Sequence, residues 1–185
     1  MSKSLLLKLA QDSIAEVFEA KNIINRQELL AEYPALSEPI ATFIHLYIDN
    51  ELCGFSGSFI TTKSLLENVI HHAKAAAFES EKYEPITVSK YLHARIELSL
   101  LTPFIQLQYD TIKDLESKIL PFEDGLTLHL QDKTASFLPI KWSEHETFEV
   151  FIAALLKEAG ISDFSNDIKV YTFQVQKQSN DPILN

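Results

Sequence analysis

The chain has 185 residues, of which 46% are hydrophobic and 23% charged, enough for one domain or two small lobes with a real core. Its 26 acidic residues outnumber 16 basic ones, giving a formal net charge of -10, which argues against nucleic acid and anionic membrane as main partners. One cysteine excludes an intrachain disulfide, a multi-cysteine zinc site and a cysteine-ligated iron-sulfur cluster, so we expect a cytoplasmic protein. Four glycines leave little for a glycine-rich phosphate loop.

The first quarter of the chain predicts a helix followed by a hairpin. Apolar residues recur at helical spacing over residues 6–18, which indicates an amphipathic helix. A loop with Pro34 and Pro39 follows. Residues 43–48 then alternate in the two-residue period of a strand, and Asp49-Asn50 predicts a tight turn into a returning strand.

The middle of the chain predicts a second helix and a strand. Thr62 is a suitable N-cap for a helix that ends near Phe78. Residues 94–101 alternate as a strand with one strongly apolar face. A short helix over residues 111–119 and a turn at residues 123–125 are expected next.

The last third predicts strands at residues 126–130 and 135–138, a helix over residues 148–159 capped by Gly160, and a final strand at residues 171–175. The polar residues after Val175 are expected to be loose. No stretch approaches the roughly 18 apolar residues of a membrane span. Hairpins without βαβ repeats indicate an α+β fold with a largely antiparallel sheet.

Glu97 is the most suggestive ionisable residue, because it lies on the polar face of a strand whose other face is apolar. Such a carboxylate can point into a cleft. Arg95 shares that face, so the alternative interpretation is a simple ion pair or a solvent-exposed edge.

Cys53 and His45 are the other candidates. Alternation past Leu52 directs Cys53 away from it, toward a possible cleft, but no cationic residue lies nearby in the sequence. Asp49 and Glu51 are expected to raise the pKa of the Cys53 thiol, so the sequence predicts a slow, ordinary thiol. His45 is either a group that faces a ligand or a satisfied, partly buried histidine.

Two further patterns carry less chemistry. His71 and His145 each lie four residues from a glutamate (Glu67 and Glu149) on a helix, a spacing that can seat a divalent ion, but two ligands do not make a site and no metal is predicted. Ser56 lacks the complete Gly-x-Ser-x-Gly context of a hydrolase nucleophile.

Four segments read together resemble the AMMECR1 family, the A component of the AmmeMemoRadiSam gene trio. They are F-I-H-L through L-C-G-F-S-G (43–57), A-A-A-F (75–78), I-E-L-S-L-L-T-P (96–103) and A-S-F-L-P (135–139). K-E-A-G-I (157–161) resembles the family's K-A-G-L helix ending. The resemblance implies a single two-lobed α+β domain over residues 1–177 with a cleft lined by the hexapeptide, and a loose tail at residues 178–185.

The hexapeptide departs from the family's L-R-G-C-I-G. Gly54 and Gly57 match, whereas Cys53 stands where the family has arginine, and Phe55 and Ser56 stand where it has cysteine and isoleucine. Glu97 matches the family strand. The lost arginine and displaced thiol weaken the transfer of any family chemistry.

Two functions follow as expectations. The first is an accessory or binding module that holds a protein or small molecule in a cleft formed by Glu97 and residues 53–57, with a Memo-like and a radical SAM protein as the partners that the resemblance implies. The second is an enzyme in the same cleft, with Glu97 as general acid or base and Cys53 or His45 assisting. The sequence predicts no particular cofactor.

Overall fold

Helices and antiparallel strands alternate irregularly along the chain, in a computed structural model that describes residues 3–180. The α-helices of this region are α1 (Lys3–Glu19), α2 (Arg26–Glu32), α3 (Leu65–Phe78), α4 (Val88–Leu92), α5 (Ile112–Ser117) and α6 (Phe148–Ala159). Two short 3-10 helices span Pro34–Ser37 and Pro139–Ser143. The strands are β1 (Thr42–Ile48), β2 (Glu51–Gly57), β3 (Arg95–Leu101), β4 (Ile105–Leu107), β5 (Asp124–Leu130), β6 (Lys133–Phe137) and β7 (Lys169–Ser179). The α+β prediction is confirmed.

The chain divides into two compact units. The first contains the described residues up to Leu101 together with residues 176–180, and the second spans Thr102–Val175. The last strand therefore begins in the second unit and ends in the first. No helix within residues 3–180 has both the length and the apolar character of a membrane span.

In the first unit, β1 is the middle strand of an antiparallel β2-β1-β3 arrangement. The predicted turn is present, because Asp49 and Asn50 both adopt positive φ, at 51° and 64°, as a tight hairpin of this twist requires. Helices α1 and α3 pack together. Ile44 and Leu46 of β1 belong to the same buried cluster as side chains of these helices, such as Leu9 and Val69, and we name it the helical core cluster. Burial of this apolar surface stabilises the unit.

In the second unit, β5 pairs with both β6 and β7, and β4 pairs with β7. The buried Trp142 ring stacks on Phe151 of α6 with 3.7 Å between centroids, and its indole N–H donates to the Asp124 carbonyl at 2.8 Å. Helix α6 ends at the predicted left-handed Gly160, whose φ is 67°.

Two predicted boundaries are wrong. Helix α3 begins after Ser64 and not after Thr62, because the Ser64 hydroxyl accepts the backbone N–H of Glu67. The turn expected at residues 123–125 lies earlier, where Phe122 adopts a φ of 68° and the Asp124 N–H bonds to the Leu120 carbonyl. Asp124 and Gly125 are strand residues of β5.

The tail predicted to be loose is ordered as far as Asn180. Strand β7 continues to Ser179. The Asn180 side-chain oxygen accepts the Ile96 N–H at 2.8 Å, and the Asn180 N–H donates to the Ile96 carbonyl at 3.2 Å. The expectation of loose residues after Val175 is therefore wrong for residues 176–180, which include residues 178–180 of the predicted tail. Residues 181–185 lie outside the described residues.

At Gly54 the backbone of β2 approaches α3 closely, and this generates a stability prediction. A Cβ built at Gly54 would lie 2.3 Å from the Ala76 carbonyl oxygen, which is backbone and cannot rotate away. We expect Gly54→Ala to lower the free energy of unfolding by about 2–3 kcal/mol, in the upper part of the range for overpacking, because the contacted atom belongs to the backbone. Urea unfolding at neutral pH measures the loss.

Gly160→Ala is the matched control, because a Cβ there meets nothing within 4 Å and only the positive φ opposes it. It should cost about 1 kcal/mol. A Gly54→Ala protein as stable as the Gly160→Ala protein would contradict the tight approach.

Candidate functional site

The middle strand β1 directs its alternate side chains to two faces of the first unit's sheet. Ile44 and Leu46 join the helical core cluster, whereas His45 and Tyr47 lie on the other face. We name that other face the aromatic face and define it by Phe43, His45, Tyr47, Phe55, Arg95, Glu97 and Lys177.

Strand register brings the aromatic face together. His45 lies opposite Phe55 of β2 on one side and opposite Glu97 of β3 on the other. Arg95 lies opposite Tyr47 in the same register. The sequence candidates His45 and Glu97 are therefore neighbours, although 52 positions separate them along the chain.

Ring contacts give the aromatic face its apolar part. Phe55 stacks on Phe43 with 5.8 Å between centroids, and its ring centroid lies 4.9 Å from that of His45. The Arg95 guanidinium lies 4.4 Å above the Tyr47 ring, an arrangement in which the ring quadrupole attracts the cation. Phe55 keeps 41% of its surface exposed, so a partner can contact it directly.

Glu97 is neutralised by two cations. The Lys177 ammonium lies 3.2 Å from one carboxylate oxygen and the Arg95 guanidinium 3.8 Å from the other. The Glu97 side chain is 17% exposed, so these charges act with less solvent screening than at an open surface. The ion-pair interpretation of Arg95 and Glu97 thus describes the geometry.

His45 presents an unsatisfied nitrogen on this face. Its Nδ1 atom is buried and has no hydrogen-bond partner among the described residues. Burial lowers the pKa of His45, an effect that Glu97 opposes and Lys177 reinforces. The imidazole is therefore neutral at neutral pH, and its unpartnered Nδ1 is enclosed by the protein.

Cys53 does not join His45 and Glu97. It is the extra residue at a register shift of the β1–β2 pair, between the Leu46–Gly54 and Tyr47–Leu52 pairs. Its thiol donates to the Leu46 carbonyl at 3.3 Å and packs against the helical core cluster. Burial raises the pKa of the Cys53 thiol, and the charge of Lys90 offsets part of this effect. The direction agrees with the sequence expectation, but its cause is burial and not Asp49 or Glu51.

Ser56 and His72 form a pair that the sequence did not predict. The Ser56 hydroxyl lies 2.9 Å from Nδ1 of His72, which is 7% exposed on α3. Burial, with smaller effects of His71 and Lys63, lowers the pKa of His72 to about 4. Strand alternation puts Ser56 on the same face of β2 as Gly54, but only the structure shows that this face meets α3.

The two glutamate and histidine pairs make other contacts, and His145 lies before α6 and not on a helix. Among residues 3–180, no three His, Cys, Asp or Glu side chains come together in a way that could hold a metal ion. Glu67 instead accepts a hydrogen bond from Arg26 at 3.0 Å. His145 stacks on Phe137 with 5.9 Å between centroids.

Comparisons with known proteins agree with this fold. The AMMECR1 family model matches residues 7–178, so the chain belongs to the AMMECR1 family. A protein of Thermofilum pendens is 28% identical over 94% of this chain and 87% of its own length. Protein MK0488 of Methanopyrus kandleri is 27% identical over 92% of this chain and 84% of its own length.

A solved structure shares the fold. The crystal structure of the uncharacterized protein PH0010 from Pyrococcus horikoshii superposes with a TM-score of 0.78 and 24% identity. The match covers 97% of this chain and 92% of that one. Family and fold are thereby established, and the names of these relatives state no activity.

The burial of Cys53 predicts slow alkylation. Because the buried thiol loses its proton only at high pH, its reaction with iodoacetamide should show an apparent pKa above the ordinary value of about 8.5. Lys90→Gln should raise this apparent pKa further, whereas the exposed Lys21→Gln should leave it unchanged. An apparent pKa below about 7 would show an activated thiol.

The lowered pKa of His72 predicts a loss of stability in mild acid. Its pKa is near 4 in the folded chain and about 6.5 when unfolded, so below pH 6.5 the unfolded state binds a proton that the folded state does not. Lowering the pH from about 7 to about 5 should therefore cost about 2 kcal/mol of unfolding free energy through His72 alone.

Urea unfolding at both pH values should show a smaller acid-induced loss for His72→Gln than for the parent. The exposed His93→Gln is the control and should behave like the parent. Equal acid losses for His72→Gln and the parent would contradict the proton linkage.

Proposed function

We propose that this protein is an accessory or binding module whose aromatic face holds a partner. One observation carries the proposal: Glu97, the carboxylate an enzyme would need here, is paired with Lys177 and Arg95, and the only thiol packs on the helical core cluster. The charged groups on this face are thus paired with each other, and the face offers a surface for recognition.

The composition of the aromatic face supports a protein partner. Exposed aromatic rings and arginine contribute most of the binding energy at protein interfaces. Phe55 supplies such a ring at the position where the resembled hexapeptide has cysteine. The Memo-like and radical SAM proteins that the family resemblance implies are the first partners to test, and a small molecule is the alternative occupant.

The enzyme alternative keeps one observation in its favour. His45 lies opposite Glu97 in the strand register and is neutral, and its buried Nδ1 has no partner among residues 3–180; a carboxylate beside an imidazole is a common arrangement for proton transfer. Glu97 would then act as general acid or base on a substrate bound against Phe55.

Partner binding can be tested with purified proteins. A Memo-like and a radical SAM protein encoded by the same genome are titrated into this protein by calorimetry. If either binds through the aromatic face, Phe55→Ala should weaken binding about 30-fold, equivalent to about 2 kcal/mol for a central aromatic contact.

Phe122→Ala is the matched control, because Phe122 is 62% exposed in the other unit. It should leave this binding unchanged. Absence of binding by both proteins would reject these partners, and equal weakening by Phe122→Ala would reject the aromatic face as the binding surface.

The Glu97→Gln variant distinguishes the binding-module hypothesis from the enzyme hypothesis. The substitution removes the charge while keeping the shape, and Glu51→Gln at the exposed first position of β2 is the control. For a binding module, a screen for turnover finds no reaction that depends on Glu97. A reaction that Glu97→Gln abolishes at unchanged melting temperature, and that Glu51→Gln retains, would establish the enzyme.

A further inference from the structure

A second candidate site lies at the hairpin end of the first unit. There the end of β1 and the start of β2 meet the segment between α3 and α4, around a pocket of about 250 Å³. We name it the hairpin pocket. It includes Cys53 but none of the residues that define the aromatic face.

One side of the hairpin pocket is apolar. Ile48 and Leu52 line it from the two strands, and Ile86 lines it from the segment before α4. Ile86 is 6% exposed and belongs to the helical core cluster, so this wall is held by the fold. A ligand with a short apolar body would lose water-exposed surface here.

The other side carries positive charge. Lys82 and Lys90 both line the pocket, and within residues 3–180 neither ammonium group forms an ion pair. Glu84 is the one carboxylate of the lining. The pocket lining therefore has two ammonium groups and one carboxylate and is net positive, whereas the whole chain, with 26 acidic and 16 basic residues, is net negative.

One contact and one electrostatic effect link this charge to other residues of the pocket. The Lys82 ammonium lies 5.3 Å from the centroid of the Tyr83 ring, which also lines the pocket. The charge of Lys90 acts on the Cys53 thiol, so Lys90 lies close enough to influence a group inside the pocket.

We propose that the hairpin pocket binds a small monocarboxylate with a short apolar chain. The carboxylate is held by Lys82 and Lys90, and the chain lies against Ile48, Leu52 and Ile86. The pocket is smaller than the usual range of about 300–1,000 Å³ for drug-sized ligands, which limits the ligand to a small metabolite.

Cys53 supplies the measurement, because it is the only thiol in the chain and lines the pocket. The full-length protein is alkylated with iodoacetamide at fixed pH and ionic strength, and labelling is followed by intact mass. The probe is sodium hexanoate, compared with hexan-1-ol and with inorganic phosphate at equal concentration.

Hexanoate should slow labelling in a saturable manner, whereas hexan-1-ol lacks the charge, phosphate lacks the apolar chain, and both should protect much less. Protection is expressed as the ratio of rates without and with hexanoate, so that any effect of a variant on the thiol itself cancels. No protection by hexanoate, or equal protection by hexan-1-ol or phosphate, would overturn the proposal.

Lysine variants test the charged side. Lys82→Gln and Lys90→Gln should each raise the hexanoate concentration for half protection about two- to fivefold, as loss of one exposed ion pair does. Lys21→Gln, an exposed lysine outside the pocket, should have no effect. If Lys21→Gln has as large an effect as Lys82→Gln and Lys90→Gln, hexanoate responds to the net charge of the protein and not to the pocket lysines, and the proposal is overturned.

The hairpin pocket is independent of the proposed partner-binding function. Phe55→Ala should therefore leave hexanoate protection intact while it weakens partner binding. Loss of protection in Phe55→Ala at unchanged melting temperature would contradict a separate pocket.

Discussion

The antiparallel register of β1 between β2 and β3 determines which side chains meet in the first unit. Since side chains alternate along a strand, one register places Ile44 and Leu46 in the helical core and His45 beside Phe55 and Glu97. A shift by one residue would exchange the two faces. Burial of the apolar side therefore holds the aromatic face in place, and the tight approach of Gly54 to the Ala76 carbonyl restricts the distance between β2 and α3.

The aromatic face combines rings with charges that are largely neutralised inside the chain. Glu97 has one cation at each carboxylate oxygen, and His45 is held neutral by burial. A partner that covers this surface leaves no carboxylate without a counter-charge, because Glu97 is already paired, and an unpaired buried charge is the most costly case. This is the physical reason for favouring recognition over catalysis at Glu97.

The extra residue in β2 explains why the single thiol lies apart from that face. The register shift after Leu46 leaves Cys53 unpaired in the ladder and bonded to the Leu46 carbonyl. The same shift places it in the hairpin pocket, beside Lys90 and away from Glu97. Strand alternation alone cannot anticipate a bulge, because a bulge changes the direction of side chains without any required sequence signal.

The sequence by itself determined the α+β class, the Asp49–Asn50 turn, the Gly160 cap and the family. These features depend on local periodicity, on residues that tolerate positive φ and on motifs in order along the chain. It missed α2, because this seven-residue helix is too short for an apolar period and its Leu29 and Leu30 are only half-buried. It also left residues 176–180 loose, although β7 continues to Ser179 and Asn180 is bonded to Ile96. Only the tertiary structure decided that His45, Glu97 and Lys177 adjoin and that Ser56 meets His72. Such contacts join residues distant in sequence, and the packing energy that brings them together is not encoded in any one segment.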